Sequence, residues 1–158
     1  MQIVWLIISR FQKKAYKTVK TDTSILKQLK EKSKGSRVFF KAGVPENYID
    51  ATVDLSVFAT FEQAYHQLMI DLVDMSCKAI ELVETKDNDT KAFYISGGFT
   101  HNDLYVKLIA SRFPDKKVYT SEISNATALG AALVVGKEAF KSKQPEIDLG
   151  LNLIKSDL

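Results

Sequence analysis

The segment from Lys91 to Leu133 constrains the fold of this chain more than any other, because short apolar runs alternate in it with turns and helical patterns. The apolar run 93–95 leads to the glycine pair Gly97 and Gly98, and a second run, 117–121, follows soon after a proline. A buried strand, a turn, a helix, a strand and a second helix explain this order. Two successive strand–helix units predict an α/β fold with parallel strands and right-handed crossovers.

The glycine pair is the first candidate for a ligand site. Ligands of open α/β sheets bind beyond the carboxyl ends of the strands, and Gly97 and Gly98 fall at such an end. Glycine permits positive φ and lets a flat ligand approach the backbone with no Cβ in the way. A plain turn from strand to helix is the preferred explanation of the pair from these residues alone, since it belongs to neither a GxGxxG motif nor a phosphate loop.

Capping residues and apolar periodicity predict four helices between residues 24 and 140. The widest apolar stripe covers Phe61 to Glu84 with Thr60 as its N-cap, and a shorter helix, 24–32, follows the polar triplet 21–23. A third helix is expected from Asn102, with Thr100 or Asn102 as its cap, to about Phe113.

The fourth predicted helix follows Ser124 and extends to Phe140. Its first turns carry small residues, among them Ala128 and Gly130, which let a helix lie close to another backbone. Tight packing alone is the preferred explanation of these small residues. The final segment, 142–158, contains a proline and a glycine and is predicted to be a loop or a weakly ordered end.

Composition narrows the classes of function. The formal net charge is only +3 and the lysines alternate with acids, so no nucleic-acid surface is expected. The single cysteine, Cys77, excludes an internal disulfide and suits a buried position in a reducing cytoplasm better than a catalytic thiol. Two histidines argue against a histidine-rich metal site, and His66 is interpreted as a surface or partly buried polar residue.

The N-terminal apolar run, 3–8, is too short to span a bilayer and lacks the features of a signal peptide. It is expected to face a core within this chain or a partner surface outside it. The segment 91–133 supplies two clear strands, and 37–41 is a candidate for a third short strand. So small a sheet cannot cover the apolar surface of several helices. Either the N-terminal segments add strands, or the chain is part of a larger fold.

The combination of motifs in segment 97–133 resembles the C-terminal domain of the FGGY family of carbohydrate kinases. The matching pieces are the Gly97-Gly98 pair, Asn102, Val118 and the sequence ATALGAA at 126–132. The helix around 64–73 is similar to the family's long helix, closest to the rhamnulokinase-like or fuculokinase-like branch. The resemblance covers about 54–135, and it implies part of an RNase H-like domain of the superfamily of actin, heat-shock chaperone ATPases and sugar kinases.

The resemblance also implies roles for individual residues. Gly97 and Gly98 would form the turn against which the adenosine of ATP or ADP packs, and Asn102 would approach the adenine. Phe99 departs from the small residue common at its position and would stack on the base or crowd it. Ala128 and Gly130 would close the nucleotide pocket from the other side, on a helix kept slim by small side chains.

The catalytic part of such a kinase has no counterpart in the sequence. The family's phosphate hairpin and catalytic Asp are missing, so no catalytic or metal-binding residue is named, and Mg²⁺ and the ketose substrate are implied only for the intact enzyme. The resemblance divides the chain into an N-terminal helical segment, 1–53, a kinase subdomain, 54–141, and a tail, 142–158. We expect a truncated or split cytoplasmic kinase that is inactive alone, or a non-catalytic module that pairs with itself or with a separate N-terminal kinase chain.

Overall fold

The computed structural model describes residues 19–33, 36–41, 53–84, 89–123, 125–140 and 147–158. The predicted N-terminal core segment and Ser124, the predicted cap of the fourth helix, lie outside these residues. The described parts are mixed α/β, as the sequence predicts, with four α-helices and one small three-stranded sheet. The chain divides into two compact units, Met1–Thr85 and Lys86–Leu158, which are described separately.

The first unit contains two α-helices, α1 (Thr23–Ser33) and α2 (Phe61–Val83). Helix α1 begins after Asp22, whose Oδ1 accepts hydrogen bonds from the backbone N–H of Ser24 at 2.8 Å and of Ile25 at 3.3 Å. This cap satisfies two of the N–H groups that a helix start leaves without partners. The helix predicted over 24–32 is therefore confirmed, one residue longer at each end.

Helix α2 begins at the predicted cap. Thr60 Oγ1 accepts from the N–H of Gln63 at 3.2 Å, and Gln63 Oε1 accepts from the N–H of Ala59 at 3.0 Å. These reciprocal bonds resemble a capping box and fix where the helix starts. The apolar stripe is buried over the first part of the helix, but Leu82 and Val83 near its end are exposed in the described structure. The last turn of the stripe is therefore not part of the buried core.

The segment 37–41, the candidate for a third short strand, contains a bend and a turn instead. Phe39 is fully buried and its ring stacks on that of Phe58 at a centroid distance of 5.8 Å. The backbone N–H groups of Val38 and Phe39 donate to the carboxylate of Asp71 at 2.8 and 2.6 Å. The carboxylate of Asp71 on α2 thus accepts the N–H groups that a neighbouring strand would otherwise bind. The apolar side chains of this segment therefore pack into the core without forming a strand.

The second unit is built on a sheet with strand order β1 (Ala92–Ile95), β2 (Lys117–Ser121), β3 (Leu151–Ile154). Strands β1 and β2 are parallel, and helix α3 (Asp103–Arg112) connects them. This strand–helix–strand unit and the bounds of β2 agree with the sequence prediction. Strand β3 pairs antiparallel with β2, although the sequence predicted only a loop or a weakly ordered end there.

The two faces of this sheet differ in burial. Side chains alternate along a strand, so Phe93, Val118 and Ile154, which are paired in register, share the face covered by α3. Phe93 meets Phe113 there edge to face at 4.9 Å. The opposite face, which we call the open face, carries Tyr94, Tyr119 and Leu153, also paired in register. Tyr94 is 62% exposed and Leu153 is 50% exposed within the described structure.

Helix α4 (Ala126–Phe140) follows β2 and is rich in small and apolar residues. It begins with a hydrogen bond from the N–H of Leu129 to the carbonyl oxygen of Asn125 at 3.0 Å. Val134 and Val135 on this helix are 67% and 64% exposed. Among the described helices, none combines the length and the apolar character needed to cross a bilayer.

Candidate functional site

A cavity of about 190 Å³ lies at the carboxyl ends of the parallel strands β1 and β2. This is the edge at which open α/β sheets bind ligands. The turn after β1 forms one wall and the three residues that end and follow β2 form the other. The lining residues are Gly97, Gly98, Thr100, His101, Ser121, Glu122 and Ile123.

The first wall depends on the backbone of Gly97. Its φ of +82° and ψ of −160° belong to a region that residues with a Cβ rarely adopt. Its carbonyl oxygen accepts from both the N–H and the Oγ1 of Thr100, at 3.1 and 2.8 Å. These bonds close the short 3₁₀ turn Gly98–His101 that leads into α3. Gly97 is therefore required by the turn itself, whether or not a ligand binds.

The second wall is fixed by the chain that returns as β3. Ser121 Oγ donates to the carbonyl oxygen of Leu149 at 2.8 Å and accepts from the N–H of Ile123 at 3.2 Å. The N–H of Glu122 donates to the carbonyl oxygen of Gly150 at 3.2 Å. Hydrogen bonds to residues far along the chain thus hold the loop after β2 in place.

Glycine is also required at position 150. Its φ is +54°, and a Cβ built there would lie 3.0 Å from the Cβ of Glu122. The Glu122 side chain is also held by β3, because Asn152 Nδ2 donates to Glu122 Oε1 at 3.2 Å and orients that carboxylate. The close approach of Gly150 to Glu122 ties β3 to the cavity wall.

The charge of the lining favours a neutral ligand group. Among the seven described lining residues, Glu122 carries a carboxylate, and no lysine or arginine is present. A phosphate needs cationic side chains or several converging N–H donors, and a carboxylate in the wall repels it. The polar groups of Thr100, Ser121 and Glu122 suit the hydroxyl and amine groups of a nucleoside or a similar small molecule.

The structure separates the six residues that the sequence proposed for nucleotide contact. Gly97 and Gly98 line the cavity. Asn102 instead caps α3, because its Oδ1 accepts from the N–H of Tyr105 at 3.0 Å. Phe99 is partly exposed and its ring stacks on that of Tyr105 at 4.4 Å. The adenine contact proposed for Asn102 and the stacking proposed for Phe99 stay predictions.

Ala128 and Gly130 lie exposed on α4 and do not belong to the described lining of the cavity. A Cβ built on Gly130 meets nothing within 4 Å, so this glycine is not required by packing inside the described unit. The closure of a nucleotide pocket by these two residues stays a prediction.

Five residues of the lining were not predicted from the sequence to be site residues, namely Thr100 and His101 in the turn after β1 and Ser121, Glu122 and Ile123 at the end of β2. Ser121, Glu122 and Ile123 line the cavity only because β1 and β2 are adjacent and parallel, which brings their carboxyl ends together. One sequence signal could have found them, namely their position directly after the second predicted strand. His101 and Thr100 could have been found from their place in the turn that follows the glycines.

A second polar cluster lies inside the first unit and has a structural role. His66, interpreted from sequence as a surface or partly buried residue, is fully buried. Its Nδ1 donates to the carbonyl oxygen of Glu62 at 2.7 Å, and its Nε2 accepts from the N–H of Asp22 at 3.0 Å. Burial lowers the pKa of His66, which keeps the imidazole neutral and able to accept that bond.

Asp71 is the other buried ionisable group of this cluster. Its carboxylate accepts from Gln67 Nε2 at 2.7 Å as well as from the two backbone N–H groups of the bend. Burial raises the pKa of Asp71 from 3.8 to about 6, although the hydrogen bonds and the Arg37 charge oppose the shift. Each of these groups has a backbone partner, and among the described residues no group of three His, Cys, Asp or Glu side chains could hold a metal ion.

Comparison with known proteins identifies no relative of this chain: no family model, no curated protein and no solved structure matches it.

Proposed function

We propose that this chain is the C-terminal, nucleotide-binding portion of an ATP-dependent sugar kinase with an RNase H-like fold. In the intact protein, phosphoryl transfer from Mg-ATP to a ketose hydroxyl would occur in the cytoplasm. The observation that carries the proposal is the cavity at the ends of β1 and β2, with Gly97 and Gly98 in its wall. By the motif resemblance, the adenosine of the nucleotide would pack against this same glycine pair.

The charge of the cavity supports a limited role for this chain. Phosphoryl transfer depends on positioning and on neutralising charge at the phosphates, with a base for the attacking hydroxyl. The described lining contains no lysine or arginine, and Glu122 disfavours phosphate there. The chain would therefore bind the nucleoside part of ATP or ADP. The catalytic Asp and the sites for the phosphates, Mg²⁺ and the sugar would belong to the part of the kinase that has no counterpart in this sequence.

Isothermal titration calorimetry with adenosine and with ADP tests this proposal directly. Because the cavity lacks a phosphate site, both should bind with affinities within about threefold of each other, in the millimolar range expected for a small and open site. ADP that binds at least tenfold more tightly than adenosine contradicts the proposed division of labour. Adenosine at about 10 mM should occupy most of a site with millimolar affinity. If it produces neither heat nor NMR shifts at that concentration, nucleotide binding itself is contradicted.

A pair of variants locates the binding. Gly98→Val adds bulk at a residue of the cavity wall, where an added Cβ meets nothing within 4 Å. It should reduce adenosine affinity, whereas Ser156→Val, at an exposed position after β3, should leave it unchanged. Equal effects of the two variants would place the adenosine elsewhere.

A non-catalytic interaction module is the second candidate, and one observation favours it. The open face of the sheet exposes Tyr94 and Leu153, while Val134 and Val135 are exposed on α4 of the same unit. Apolar patches of this kind mark protein–protein contact sites in soluble proteins. Such a module would pair with itself or with a separate N-terminal kinase chain.

Light scattering over a concentration series tests this second candidate. Self-association should increase with concentration and should weaken in Leu153→Ser, which removes an apolar side chain from the open face. Leu82→Ser, which removes an exposed leucine from α2 instead of the open face, is the matched control. A chain that remains monomeric at all concentrations contradicts self-pairing, and mixing with a candidate N-terminal kinase chain then tests the other form of the proposal.

A further inference from the structure

A second cavity, of about 430 Å³, lies within the first unit and is lined mainly by cations. Its described lining consists of Ser36, Arg37, Lys41, Asp74 and Lys78. Three cationic side chains face a single carboxylate, so the lining has a formal net charge of +2. A concave site of one sign concentrates its field and attracts ions of the opposite sign.

The carboxylate of Asp74 organises two of these cations. Its Oδ2 lies 3.5 Å from Arg37 Nε and 3.1 Å from Lys78 Nζ. The two cations therefore share one oxygen atom, and a single negative charge cannot neutralise both. The shared contact also restrains the guanidinium and the ammonium group near each other at the wall of the cavity.

Helix α2, which carries Asp74, also binds the backbone next to Arg37. Asp71, one turn before Asp74 on α2, accepts the N–H groups of Val38 and Phe39 at 2.8 and 2.6 Å. Phe39 is itself fully buried. One face of α2 thus fixes the segment that follows Ser36 through Asp71 and directs the Arg37 side chain through Asp74. Preorganisation of this kind lowers the entropy cost of binding a ligand.

We propose that this cavity binds a small phosphate monoester. A phosphate monoester is a dianion near neutral pH, which matches the net charge of the lining. Arginine and lysine are the side chains that most often bind phosphate, and the Ser36 hydroxyl adds a neutral donor. The volume exceeds that of a phosphate group alone and falls in the range of small-molecule sites. This inference does not depend on the proposed nucleotide site, which lies in the other unit.

NMR titration at constant ionic strength is the test, with glycerol 3-phosphate and inorganic phosphate as probes and chloride as the reference anion. Saturable shifts should appear at the amides of residues 36–39 and 78. The ester should bind at least about threefold more tightly than inorganic phosphate, since it fills more of the cavity. Shifts that chloride reproduces, or that do not saturate, overturn the proposal and identify an ordinary solvated surface.

Charge-removing variants make the test specific. Arg37→Gln and Lys78→Gln should each weaken ester binding by about tenfold or more, because each removes a charge-assisted hydrogen bond. Lys30→Gln, on the exposed side of α1, removes the same charge outside the cavity and should change the affinity less than twofold. Slow hydrogen exchange of the Phe39 N–H, which donates to Asp71, should persist in the first two variants and verifies that the bend is intact. Equal weakening by all three variants overturns the proposal.

Discussion

Gln67 Nε2 donates a hydrogen bond to Asp71 Oδ1 at 2.7 Å, while Oε1 of the same amide is buried without a hydrogen-bond partner in the described structure. A buried acceptor without a partner costs free energy, and a buried carboxylate costs more. One turn of α2 therefore contains two side chains whose burial is unfavourable, the amide of Gln67 and the carboxylate of Asp71. The carboxylate is kept because its other oxygen, Oδ2, binds two backbone N–H groups of the bend.

The stability of the first unit should decrease as the pH rises through 6. Burial raises the pKa of Asp71 in the folded state from 3.8 to about 6. A raised pKa means that the folded state holds the proton more tightly, so this contribution is fully present below about pH 4 and is lost as the pH rises through 6. The loss should reach up to about 3 kcal/mol at neutral pH. Urea unfolding followed by the amide signals of α2 at pH 4 to 8 measures it.

Asp71→Asn should remove this pH dependence and stabilise the unit at pH 8. The amide keeps one oxygen for the two backbone N–H groups, and its NH₂ can donate to Gln67 Oε1 if that amide rotates, since the two ends of an amide have nearly the same shape. No buried charge remains. Asp115→Asn, exposed in the other unit, is the control and should retain the wild-type profile. Lower stability of Asp71→Asn at pH 8 contradicts this account.

His66 should make the opposite contribution to the pH dependence. Burial lowers its pKa in the folded state, so its contribution is present above about pH 6.5, the usual value, and is lost as the pH falls through the lowered value. His66→Leu removes the acceptor of the Asp22 N–H and should destabilise the unit by about 1–3 kcal/mol at pH 8. Thermal unfolding at pH 8 and pH 5 should show a smaller difference from wild type at pH 5. An equal difference at both values would refute the titration of His66.

Gly97→Ala and Gly98→Ala form a matched pair in the turn after β1. A Cβ at either position meets nothing within 4 Å, but only Gly97 has a positive φ, +82°. Gly97→Ala should therefore destabilise the second unit by about 1–3 kcal/mol through backbone strain, while Gly98→Ala should change its stability by less than about 1 kcal/mol. Chemical denaturation measures both. Equal effects would show that the turn does not depend on the backbone of Gly97.

Gly150→Ala should loosen β3 from the rest of the sheet. The new Cβ would lie 3.0 Å from the Cβ of Glu122, and the φ of +54° is unfavourable for alanine. We expect a loss of about 1–2 kcal/mol and faster hydrogen exchange at the Glu122 N–H, which donates to Gly150. Gly136→Ala, on α4, has no positive φ and should not change this exchange. Unchanged protection at Glu122 in Gly150→Ala would contradict the role given to this glycine.

Local sequence signals were sufficient for most of the helices and for two strands. Thr60 caps the helix that it was predicted to cap, and Asn102, one of the two caps proposed for α3, caps that helix. An N-cap bond joins residues only two or three positions apart, so it can be read from local sequence. Strand β2 was found from its apolar run alone. The third strand was missed because its four residues are too few to show a clear strand pattern. Its position depends on hydrogen bonds from Ser121 and Glu122 to a segment about thirty residues later.

The amino-acid sequence by itself determined the strand, glycine turn and helix around Gly97, since this order requires only local periodicity and the backbone freedom of glycine. The tertiary structure alone decided what surrounds that turn. Parallel pairing of β1 with β2 brings Ser121 and Glu122 to the opposite wall of the cavity, and burial turns His66 and Asp71 into groups with altered pKa values. Both effects depend on contacts between residues distant in the chain, and neither the distances nor the loss of solvent can be inferred from the order of the residues.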